Sequence, residues 1–297
     1  MSLYVGCPIW TYKGWVGALF PVDTGSSQYL REYSRRLTAV EGNTTFHAVP
    51  AAATIRRWVE QTPDTFRFCP KLPRLISHAG RLEPHISAAH DFVEAMRPLA
   101  GRLGPIFLQL PPRYGPALMD DLRSFLEAWP SRVRLAVEVR DLRWFEPPHQ
   151  AALDALLSRR NMAHVSIDTR PIRALQGDQI LKRSVYERLV QARARKPQLP
   201  IVPAATADFG FLRYIGHPRL VQNLGVIDEW ADHMAGWLGA GMDAFVFCHC
   251  PDERLDPWLC REFHHSIAAR LSIPPLPWDD RILNSAPAQP PLFDHMP

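Results

Sequence analysis

The sequence predicts an α/β fold, specifically a (β/α)8 TIM-type barrel of parallel strands. Eight short β-rich segments alternate with helical segments along the chain, which is typical of parallel α/β folds. The 297-residue chain exceeds the ~250 residues of such a barrel by only a short tail. The first strand is followed by GCPIWTYKGW and not by the glycine-rich phosphate turn of an open doubly wound sheet. Together these observations favour a closed barrel.

The predicted strands are short runs rich in β-branched and aromatic residues and bounded by polar or turn-forming residues. In several of them, such as LAVEVR, apolar and polar residues alternate, which indicates a strand whose two faces have different surroundings. The strands are predicted at Tyr4–Cys7, Ala39–Asn43, Phe66–Lys71, Ile106–Leu110, Leu135–Arg140, His164–Asp168, Phe211–Ile215 and Phe245–Cys248.

A helical segment with apolar residues three and four positions apart follows almost every strand. Thr54 and Pro63 mark the two ends of the second helical segment, because they belong to residue types that begin and end helices. The helices are predicted at Ser26–Arg36, Ala53–Gln61, His85–Leu99, Leu118–Trp129, His149–Arg160, Ile227–Leu238 and Trp258–Leu271.

The connection after strand six, Arg170–Ala207, is longer than one crossover helix requires. It contains ILKRSVYERLVQARARKPQLP, which is dense in Lys and Arg. One interpretation is a solvated amphipathic helix on the outside of the barrel. The other is a basic insertion that forms a flap over the strand ends and contacts phosphate groups. Charge runs of this kind favour the first interpretation.

The C-terminal residues 273–297 are rich in proline. Such a composition cannot bury a hydrophobic core, so it predicts an extended or disordered tail. We therefore expect one barrel domain over residues 1–272.

Composition narrows the class of protein. The formal net charge of +4 suits an anionic ligand. No run of residues is long and apolar enough to cross a bilayer, and the N-terminus lacks the pattern of a secretory signal. The five cysteines match neither a disulfide framework nor a paired CxxC zinc site. We expect a cytoplasmic protein with reduced thiols and no membrane partner.

Charged and amide side chains recur late in the predicted strands. In strand five, Glu138 and Arg140 share the face opposite Val137 and Val139. If the apolar face packs under the helices, the polar face points into the barrel. Its late positions then lie at the carboxyl-end mouth, where active sites of this fold occur. The residues predicted at this mouth are Glu41, Asn43, Lys71, Gln109, Glu138, Arg140, Asp168 and Arg213.

Burying so many charged groups costs free energy unless they pair or bind a ligand. Carboxylates can act as general acids and bases, and arginines bind anions through paired hydrogen bonds. The candidate catalytic residues are Glu41, Glu138 and Asp168. The candidate substrate-binding residues are Asn43, Lys71, Gln109, Arg140, Arg213, Trp10 and His217. For Trp10, packing at the barrel end is favoured over ligand stacking.

A static ion-pair network is the alternative to a binding site. In that interpretation Arg140 pairs with Glu138, and Arg213 pairs with Asp168. Such networks contribute little net stability because desolvation offsets the attraction. The position of the charges at the barrel mouth favours a site over this alternative.

The sequence does not identify a cofactor, and a divalent metal is one candidate. The candidate ligands are His249, Asp168 and Glu138, since carboxylates and imidazoles bind such ions. The run Cys248-His249-Cys250 does not form a metal site by itself, because adjacent residues of a strand point to opposite faces.

Six segments resemble a known family when taken in order between Leu3 and Pro251. They are GCPIWTYKGWVGALFP, VEGNTTFHAVP, FRFCPKLPRLISH, LGPIFLQLPPRY, VEVRDLRWF and FLRYIGH. They are similar to the successive motifs of the YecE-like TIM-barrel family, the domain-of-unknown-function family numbered seventy-two.

The resemblance implies a TIM-type barrel with a polar mouth and brings no reaction with it. The sequence departs from the family at strand eight, where His249 and Cys250 stand in place of paired asparagines. His217 also stands where the family commonly has arginine. The matched positions include Trp10, Glu41, Asn43, Phe46, Lys71, Gln109, Pro111, Glu138, Arg140, Asp168, Arg213 and Gly216.

Three functional hypotheses follow, in order of preference. The first is an enzyme, a hydrolase or isomerase, that acts on a small phosphate-bearing anion by acid–base or metal-assisted chemistry. The second is a protein that acts on nucleic acid, endonuclease-like and associated with DNA repair. It is suggested by the basic segment and by Gln289–Phe293, which resembles the short QxxLF peptides that bind the sliding clamp. The third is a barrel that binds a ligand without catalysis.

Overall fold

Strands and helices alternate along the chain in the computed structural model, which describes residues 1–175 and 178–279. All eight predicted strands are present. The sixth is divided into two short strands on either side of Val165. The strands of the described residues are β1 Leu3–Cys7, β2 Ala39–Gly42, β3 Arg67–Pro70, β4 Ile106–Gln109, β5 Leu135–Glu138, β6 Ala163–His164, β7 Ser166–Asp168, β8 Phe209–Ile215 and β9 Asp243–His249.

The helices occupy the connections between strands, as expected for a parallel α/β fold. Short 3-10 turns precede several of them, and the turn Asn43–Phe46 directly follows β2. The helices of the described residues are α1 Tyr29–Ser34, α2 Ala52–Gln61, α3 Arg74–Ser77, α4 Ile86–Met96, α5 Met119–Ala128, α6 Pro147–Arg159, α7 Arg170–Arg173, α8 Arg183–Arg195, α9 Leu224–Gly239 and α10 Asp256–Ala268.

All strand pairs are parallel and form two sheets, in the orders β3-β2-β1-β9-β8-β7 and β4-β5-β6. Between β3 and β4, Leu72 N donates to Phe107 O at 2.9 Å and Gly104 N donates to Phe68 O at 2.8 Å. The chain itself joins β6 to β7. The strand order is therefore that of a TIM-type barrel, with a ladder that is interrupted at two joints.

Aromatic side chains fill the inner face of the sheets below the mouth. Phe107 and Phe211 stack with ring centroids 5.6 Å apart, and Phe245 and Phe247 pack against the same group. On β8 the inner face carries Phe211 and then Arg213, since alternate residues share a face. The inner face is thus apolar over most of its depth and polar only at its carboxyl end.

The helix α9 buries an apolar stripe against the outside of the sheets. In α9, Ile227, Trp230, Met234 and Trp237 recur at the spacing of one helix face, and all are buried. Trp237 packs over Gly210 so closely that a Cβ there would lie 2.3 Å from its ring. Glycine at that position lets α9 approach β8 directly.

The basic segment after β7 contains a real amphipathic helix, α8. Val185 and Leu189 are buried, and Leu189 packs with Ile167, Ile172 and Ile215 in a small apolar cluster. Arg193 continues the same face one turn later and pairs with Asp178, whereas Arg183 is exposed. A helix is present in the segment, and its apolar residues meet Ile167 and Ile215 near the carboxyl ends of β7 and β8.

Packing on the barrel continues beyond residue 272. Leu276 is buried, the ring centroids of Trp278 and Trp258 lie 5.4 Å apart, and Arg261 pairs with Asp279 at 2.8 Å. The clamp-like segment predicted at 289–293 lies outside the described residues. In the described part of the chain, no helix combines the length and apolar character needed to cross a bilayer.

Candidate functional site

Arg213 lies at the centre of a buried polar network at the carboxyl ends of the strands. Its Nε donates to Glu41 Oε2 at 2.8 Å and its Nη2 to Glu41 Oε1 at 2.9 Å. Its Nη1 donates to Glu138 Oε2 at 2.8 Å. Both carboxylates are fully buried and Arg213 is only 3% exposed. One guanidinium from β8 therefore satisfies carboxylates from β2 and β5.

Glu138 extends this network towards β3 and β4. Its Oε1 accepts from Gln109 Nε2 at 2.9 Å and from Arg140 Nε at 2.6 Å. Gln109 Oε1 in turn accepts from Lys71 Nζ at 2.8 Å. We refer to the connected side chains as the mouth network; its members are Glu41, Lys71, Gln109, Glu138, Arg140, Arg213 and His249.

His249, the last residue of β9, joins the network beside Glu41. Its Nε2 lies 3.2 Å from Glu41 Oε2 and 3.4 Å from Arg213 Nη2. Cys248 and Cys250 instead lie on the helix side, within the outer apolar core. The prediction that the CHC run does not converge on one point is consistent with this arrangement.

Two aromatic rings lie beside Lys71 and Arg213 of the network. Lys71 Nζ lies 4.1 Å from the ring centroid of Phe46 and 5.6 Å from that of Phe107. Arg213 Cζ lies 4.9 Å from the Phe107 centroid. Phe46 is supplied by the 3-10 turn after β2. These faces attract the two cations through the ring quadrupole.

The two buried carboxylates stay ionised. Burial alone would raise the pKa of Glu41, but the adjacent Arg213 holds it well below its usual range. Burial likewise opposes ionisation of Glu138, yet Arg140 and Arg213 lower its pKa to about 2. Neither carboxylate is suited to donate a proton near neutral pH.

Two basic groups of the network, Lys71 and His249, have pKa values below their usual range. Burial, reinforced by Arg213, lowers the pKa of Lys71 to about 7. Burial and Arg213 also lower the pKa of His249 to about 4, even though Glu41 opposes this shift. Lys71 is therefore the member whose protonation state varies around neutral pH.

Unpartnered positive charge lies next to the network. Arg140 uses its Nε for Glu138, and neither of its Nη atoms has a hydrogen-bond partner among the described residues. Lys196, just after α8, is half-buried, and its Nζ has no hydrogen-bond partner in that part of the chain either. Burial and Arg213 lower the pKa of Lys196 to about 8. The basic segment thus brings one lysine to the mouth, which the residue-by-residue prediction did not identify.

His78 is a second group that the predicted site did not contain. Its ring centroid lies 5.1 Å from that of Phe46. Burial and the neighbouring Lys71 lower its pKa to about 4. Its position at the end of the quoted motif FRFCPKLPRLISH was the available signal.

Asp168 does not lie in the mouth network, so its predicted position was wrong. Its carboxylate accepts from Trp230 Nε1 at 2.8 Å and from Arg170 Nη2 at 2.8 Å. The register of β7 with β8 pairs Ile167 with Arg213, which places Ile167 on the inner face and Asp168 on the helix side. The expected Arg213–Asp168 pair is absent for this reason, whereas the expected Arg140–Glu138 pair is present.

Three further predicted ligand-binding residues lie outside the network. Trp10 packs edge-on against Trp58, with centroids 5.4 Å apart, as the packing interpretation expected. His217 is fully buried, and its Nε2 lies 3.2 Å from Asp178 Oδ1. Asn43 Nδ2 donates to a backbone oxygen in the loop after β1 at 3.3 Å.

The three candidate metal ligands do not converge on one point. The carboxylate oxygens of Glu138 and Asp168 already accept hydrogen bonds from arginines and other donors. His249 faces Glu41 and the Arg213 guanidinium, which occupies the space that a cation would need. Among residues 1–175 and 178–279, the one group of three with metal-ligand proximity is His264, His265 and Asp279, and it contains no residue of the mouth network.

Two surface depressions lie away from the mouth. One of ≈ 450 Å³ lies between α9 and α10, and another of ≈ 460 Å³ lies beside α8. Neither is lined by a member of the mouth network. We place the candidate site at the mouth because the charged groups with perturbed pKa values converge there.

Most arginines of the basic segment have partners within the protein. Arg193 pairs with Asp178 at 2.7 Å, and Arg183 pairs with Glu187 at 2.9 Å. Arg188 donates to the backbone oxygen of Pro251 at 2.8 Å. These contacts orient the segment against the barrel and occupy cations that a nucleic-acid surface would leave free.

Sequence comparison relates the chain to proteins of unknown function. A family model described as "Protein of unknown function DUF72" matches residues 4–281. The chain is 34% identical over 251 residues to the UPF0759 protein YecE of Escherichia coli K12, covering 84% of this chain and 87% of that protein. It is 22% identical over 255 residues to the UPF0759 protein YunF of Bacillus subtilis, with 82% and 87% covered.

Solved structures show the same fold. A DUF72 family protein from Enterococcus faecalis superposes with a TM-score of 0.66 at 17% identity, covering 92% of this chain and 98% of that one. A DUF72 family protein from Thermotoga maritima superposes with a TM-score of 0.59 at 17% identity, covering 91% and 100%. At these identities the likeness supports the architecture alone.

Proposed function

The chain belongs to the DUF72 family of proteins of unknown function, and we propose that it is an enzyme that acts on a small, phosphate-bearing anion at the barrel mouth. The chemistry that we propose is proton transfer, with a hydrolase or an isomerase as the resulting class. The arrangement of cations, carboxylates and aromatic faces around the mouth network supports this proposal.

The observation that carries the proposal is the unpartnered positive charge at the mouth. Glu41 and Glu138 are already matched by Arg213 and Arg140. Lys196 adds a further cation close enough to lower the pKa of His249. A dianionic phosphate group would provide the missing negative charge and accept hydrogen bonds from Arg140 and Lys196.

The buried ion pairs have a supporting role in this proposal. Arg213 is held on three sides by carboxylate oxygens, so its orientation is fixed before a ligand arrives. Glu138 in turn orients Arg140 and Gln109 through its Oε1. Preorganised charges of this kind stabilise developing charge without reorganisation during the reaction.

Proton transfer is assigned to Lys71 and not to the carboxylates. Since Glu138 and Glu41 remain ionised, they are poor acids at neutral pH. Lys71, with a pKa lowered to about 7, exists in both protonation states near neutral pH, as general acid–base catalysis requires.

Calorimetric titration with inorganic phosphate and with a panel of phosphate monoesters tests this function. We expect Arg140→Gln and Lys196→Gln each to weaken binding about tenfold or more, since a charge-assisted hydrogen bond contributes about 1.5–3 kcal/mol. Arg159→Gln on α6, an exposed arginine, is the matched control and should leave binding unchanged.

Turnover separates an enzyme from a ligand-binding barrel. Phosphorus NMR of the best-bound monoester, incubated with stoichiometric protein, should show a new product resonance. Binding with no product for any monoester would support the non-catalytic barrel instead. Equal phosphate affinity in the wild type and in Arg140→Gln would remove the anion site from the proposal.

We also place the protein in the cytoplasm. All five cysteines are unpaired and buried, as is usual for proteins of a reducing compartment. Cell fractionation with an antibody against the full chain tests this part of the proposal.

A further inference from the structure

Lys71 is a buried lysine without a carboxylate partner. It is only 7% exposed, and no carboxylate of the described residues lies within ion-pair distance of its Nζ. Its hydrogen-bond acceptor is the neutral amide oxygen of Gln109 at 2.8 Å. Meanwhile Arg213 takes both neighbouring carboxylates. A buried ammonium without an ion pair is costly, so this arrangement favours the neutral amine.

Lysine is rare among the basic residues of this chain, so its presence at position 71 is informative about the chemistry of the mouth. Of the 34 Lys and Arg residues, four are lysines, at positions 13, 71, 182 and 196. Arginine keeps its charge in every protein environment, whereas a buried lysine readily loses its proton. At the mouth the chain therefore carries a basic residue that can become a nucleophile.

We propose that Lys71 is a covalent nucleophile whose Nζ forms an imine with the carbonyl group of a phosphate-bearing aldehyde or ketone. This inference rests on the proposed function, because it uses the same anion site to hold the phosphate; it replaces proton transfer by the free amine of Lys71 with imine formation at the same atom. Arg140 and Lys196 bind the phosphate, and Lys71 attacks the carbonyl at the other end of the molecule.

Three contacts position the amine for this role. Gln109 Oε1 accepts one proton of Nζ, which leaves the lone pair one of the two remaining positions around nitrogen. The face of Phe46 lies 4.1 Å away and forms an apolar wall. Thr45 Oγ1 donates to the backbone oxygen of Lys71 at 2.6 Å, which anchors the strand end. The amine is therefore held by groups that cannot remove its nucleophilicity by forming an ion pair.

Electrostatics in the mouth supports a neutral amine. Burial and Arg213 lower the pKa of Lys71, while the more distant carboxylates and the ring of Phe46 oppose the shift. With a pKa of about 7, roughly half of the molecules carry a free amine at neutral pH. The charged or titratable groups facing Lys71 are Arg213, Glu41, Glu138, Arg140 and His78.

The proposed step balances without an oxidant or a reductant. The Nζ lone pair attacks the carbonyl carbon, and a proton moves from nitrogen to oxygen to give a carbinolamine. The hydroxyl group then takes up one proton from solvent and leaves as water, so that a protonated imine remains. The electron-withdrawing iminium makes the adjacent C–H bond acidic, which suits an isomerase.

Reductive trapping with pyridoxal 5′-phosphate, an aldehyde that carries a phosphate, tests the proposal. The full-length protein is incubated at neutral pH, quenched with sodium borohydride, digested and mapped by mass spectrometry. We expect labelling at Lys71 to exceed that at exposed Lys13 and Lys182 by about tenfold or more, since ordinary lysines are protonated at this pH. Preferred labelling at Lys196, or even labelling of all four lysines, would overturn the assignment.

Two variants show whether the amine or the fold is responsible. Lys71→Arg keeps the positive charge and should abolish the major adduct. Gln109→Glu places a carboxylate beside Nζ, so the pH midpoint of labelling should move up by about one unit or more. Circular dichroism confirms that each variant is folded. A midpoint that stays in place in folded Gln109→Glu would contradict the proposed environment of Lys71.

Pyridoxal without phosphate separates this inference from the proposed function. If Lys71 reacts equally with both aldehydes, the nucleophile stands and the anion site fails. If phosphate binds calorimetrically but Lys71 is not labelled, the anion site stands and the imine fails. Both hold if Arg140→Gln slows labelling by the phosphate-bearing aldehyde alone.

Discussion

Arg213 holds both carboxylate oxygens of Glu41, through Nε at 2.8 Å and through Nη2 at 2.9 Å. The two residues come from β8 and β2 and are separated by 172 positions in sequence. Forming a buried pair of this kind contributes little net free energy, whereas removing one partner leaves an unpaired buried charge. Four predictions about stability follow from this and related contacts.

Arg213→Ala should lower the free energy of unfolding by about 3–5 kcal/mol, because the buried Glu41 loses its arginine and the buried Glu138 loses one of its two. Arg213→Lys keeps one positive charge but loses the bidentate geometry, so its loss should be smaller. Urea denaturation at neutral pH measures both, with Arg159→Ala as the exposed control. An unchanged midpoint in folded Arg213→Ala would mean that the carboxylates find other partners.

Glu138 makes the fold sensitive to acid. Its pKa falls from an ordinary 4.5 to about 2 in the fold, so the unfolded chain takes up its proton first as the pH decreases. The free energy of unfolding should therefore fall by about 2–3 kcal/mol between pH 5 and pH 2 on this account. Glu138→Gln should be less stable at neutral pH and flatter over that interval. The control Glu127→Gln, exposed on α5, should follow the wild-type curve.

His249 acts in the same direction at higher pH. Burial lowers its pKa from 6.5 to about 4, so the unfolded imidazole gains a proton while the buried one stays neutral. The wild type should lose about 2 kcal/mol between pH 7 and pH 5 through this residue, at about 1.4 kcal/mol per pKa unit. In His249→Asn that loss should disappear, whereas exposed His90→Asn should retain it. Identical pH profiles for all three proteins would exclude a buried neutral His249.

Asp168→Asn should affect stability without affecting the mouth. Its carboxylate accepts from Trp230 and Arg170 on the helix side, so we expect a loss of about 1–3 kcal/mol in the free energy of unfolding. The affinity for inorganic phosphate should stay within about twofold of the wild type by calorimetry. A stable variant with abolished phosphate binding would return Asp168 to the functional site.

The strand pattern predicted much of the fold and of the site. All eight predicted strand positions are occupied, with bounds that differ by one or two residues at most ends. Alternation in LAVEVR correctly placed Glu138 and Arg140 on the inner face, and the same logic placed Lys71, Gln109 and Arg213. It succeeds for these residues because the inner face is apolar over most of its depth and polar at its carboxyl end, where charged groups from several strands pair with one another.

The pattern failed at strand six because the barrel interior is itself apolar. The alternation that predicted Asp168 at the mouth requires Val165 and Ile167 to face the helices, yet Val165 packs with the aromatic residues of the interior. The polar residues of that strand have hydrogen-bond partners on the outside of the sheet instead. For example, His164 Nδ1 lies 2.8 Å from Asp154 Oδ1. Partners that are distant in sequence decide the face, and alternation alone does not contain them.

Lys196 was missed for a different reason. It belongs to a run of basic residues whose other members point away from the mouth or pair locally. Its importance depends on how the chain turns after α8, where its backbone oxygen accepts from Arg173 Nη2 at 2.8 Å. No periodic pattern identifies the residue of an irregular segment that reaches a site.

Side chains at the mouth also connect the two sheets across the joint between β3 and β4. Few backbone hydrogen bonds cross it, including those of Leu72 and Gly104, and the side-chain bond from Lys71 to Gln109 spans the same gap. Glu138 and Arg213 then fasten the three-stranded sheet to the six-stranded one across the interior. Because these bonds both join the two sheets and form the candidate site, ligand binding at that site would be thermodynamically linked to the local stability of the joint. Covalent modification of Lys71 Nζ should therefore change the rate at which the Leu72 and Gly104 amide protons exchange with solvent.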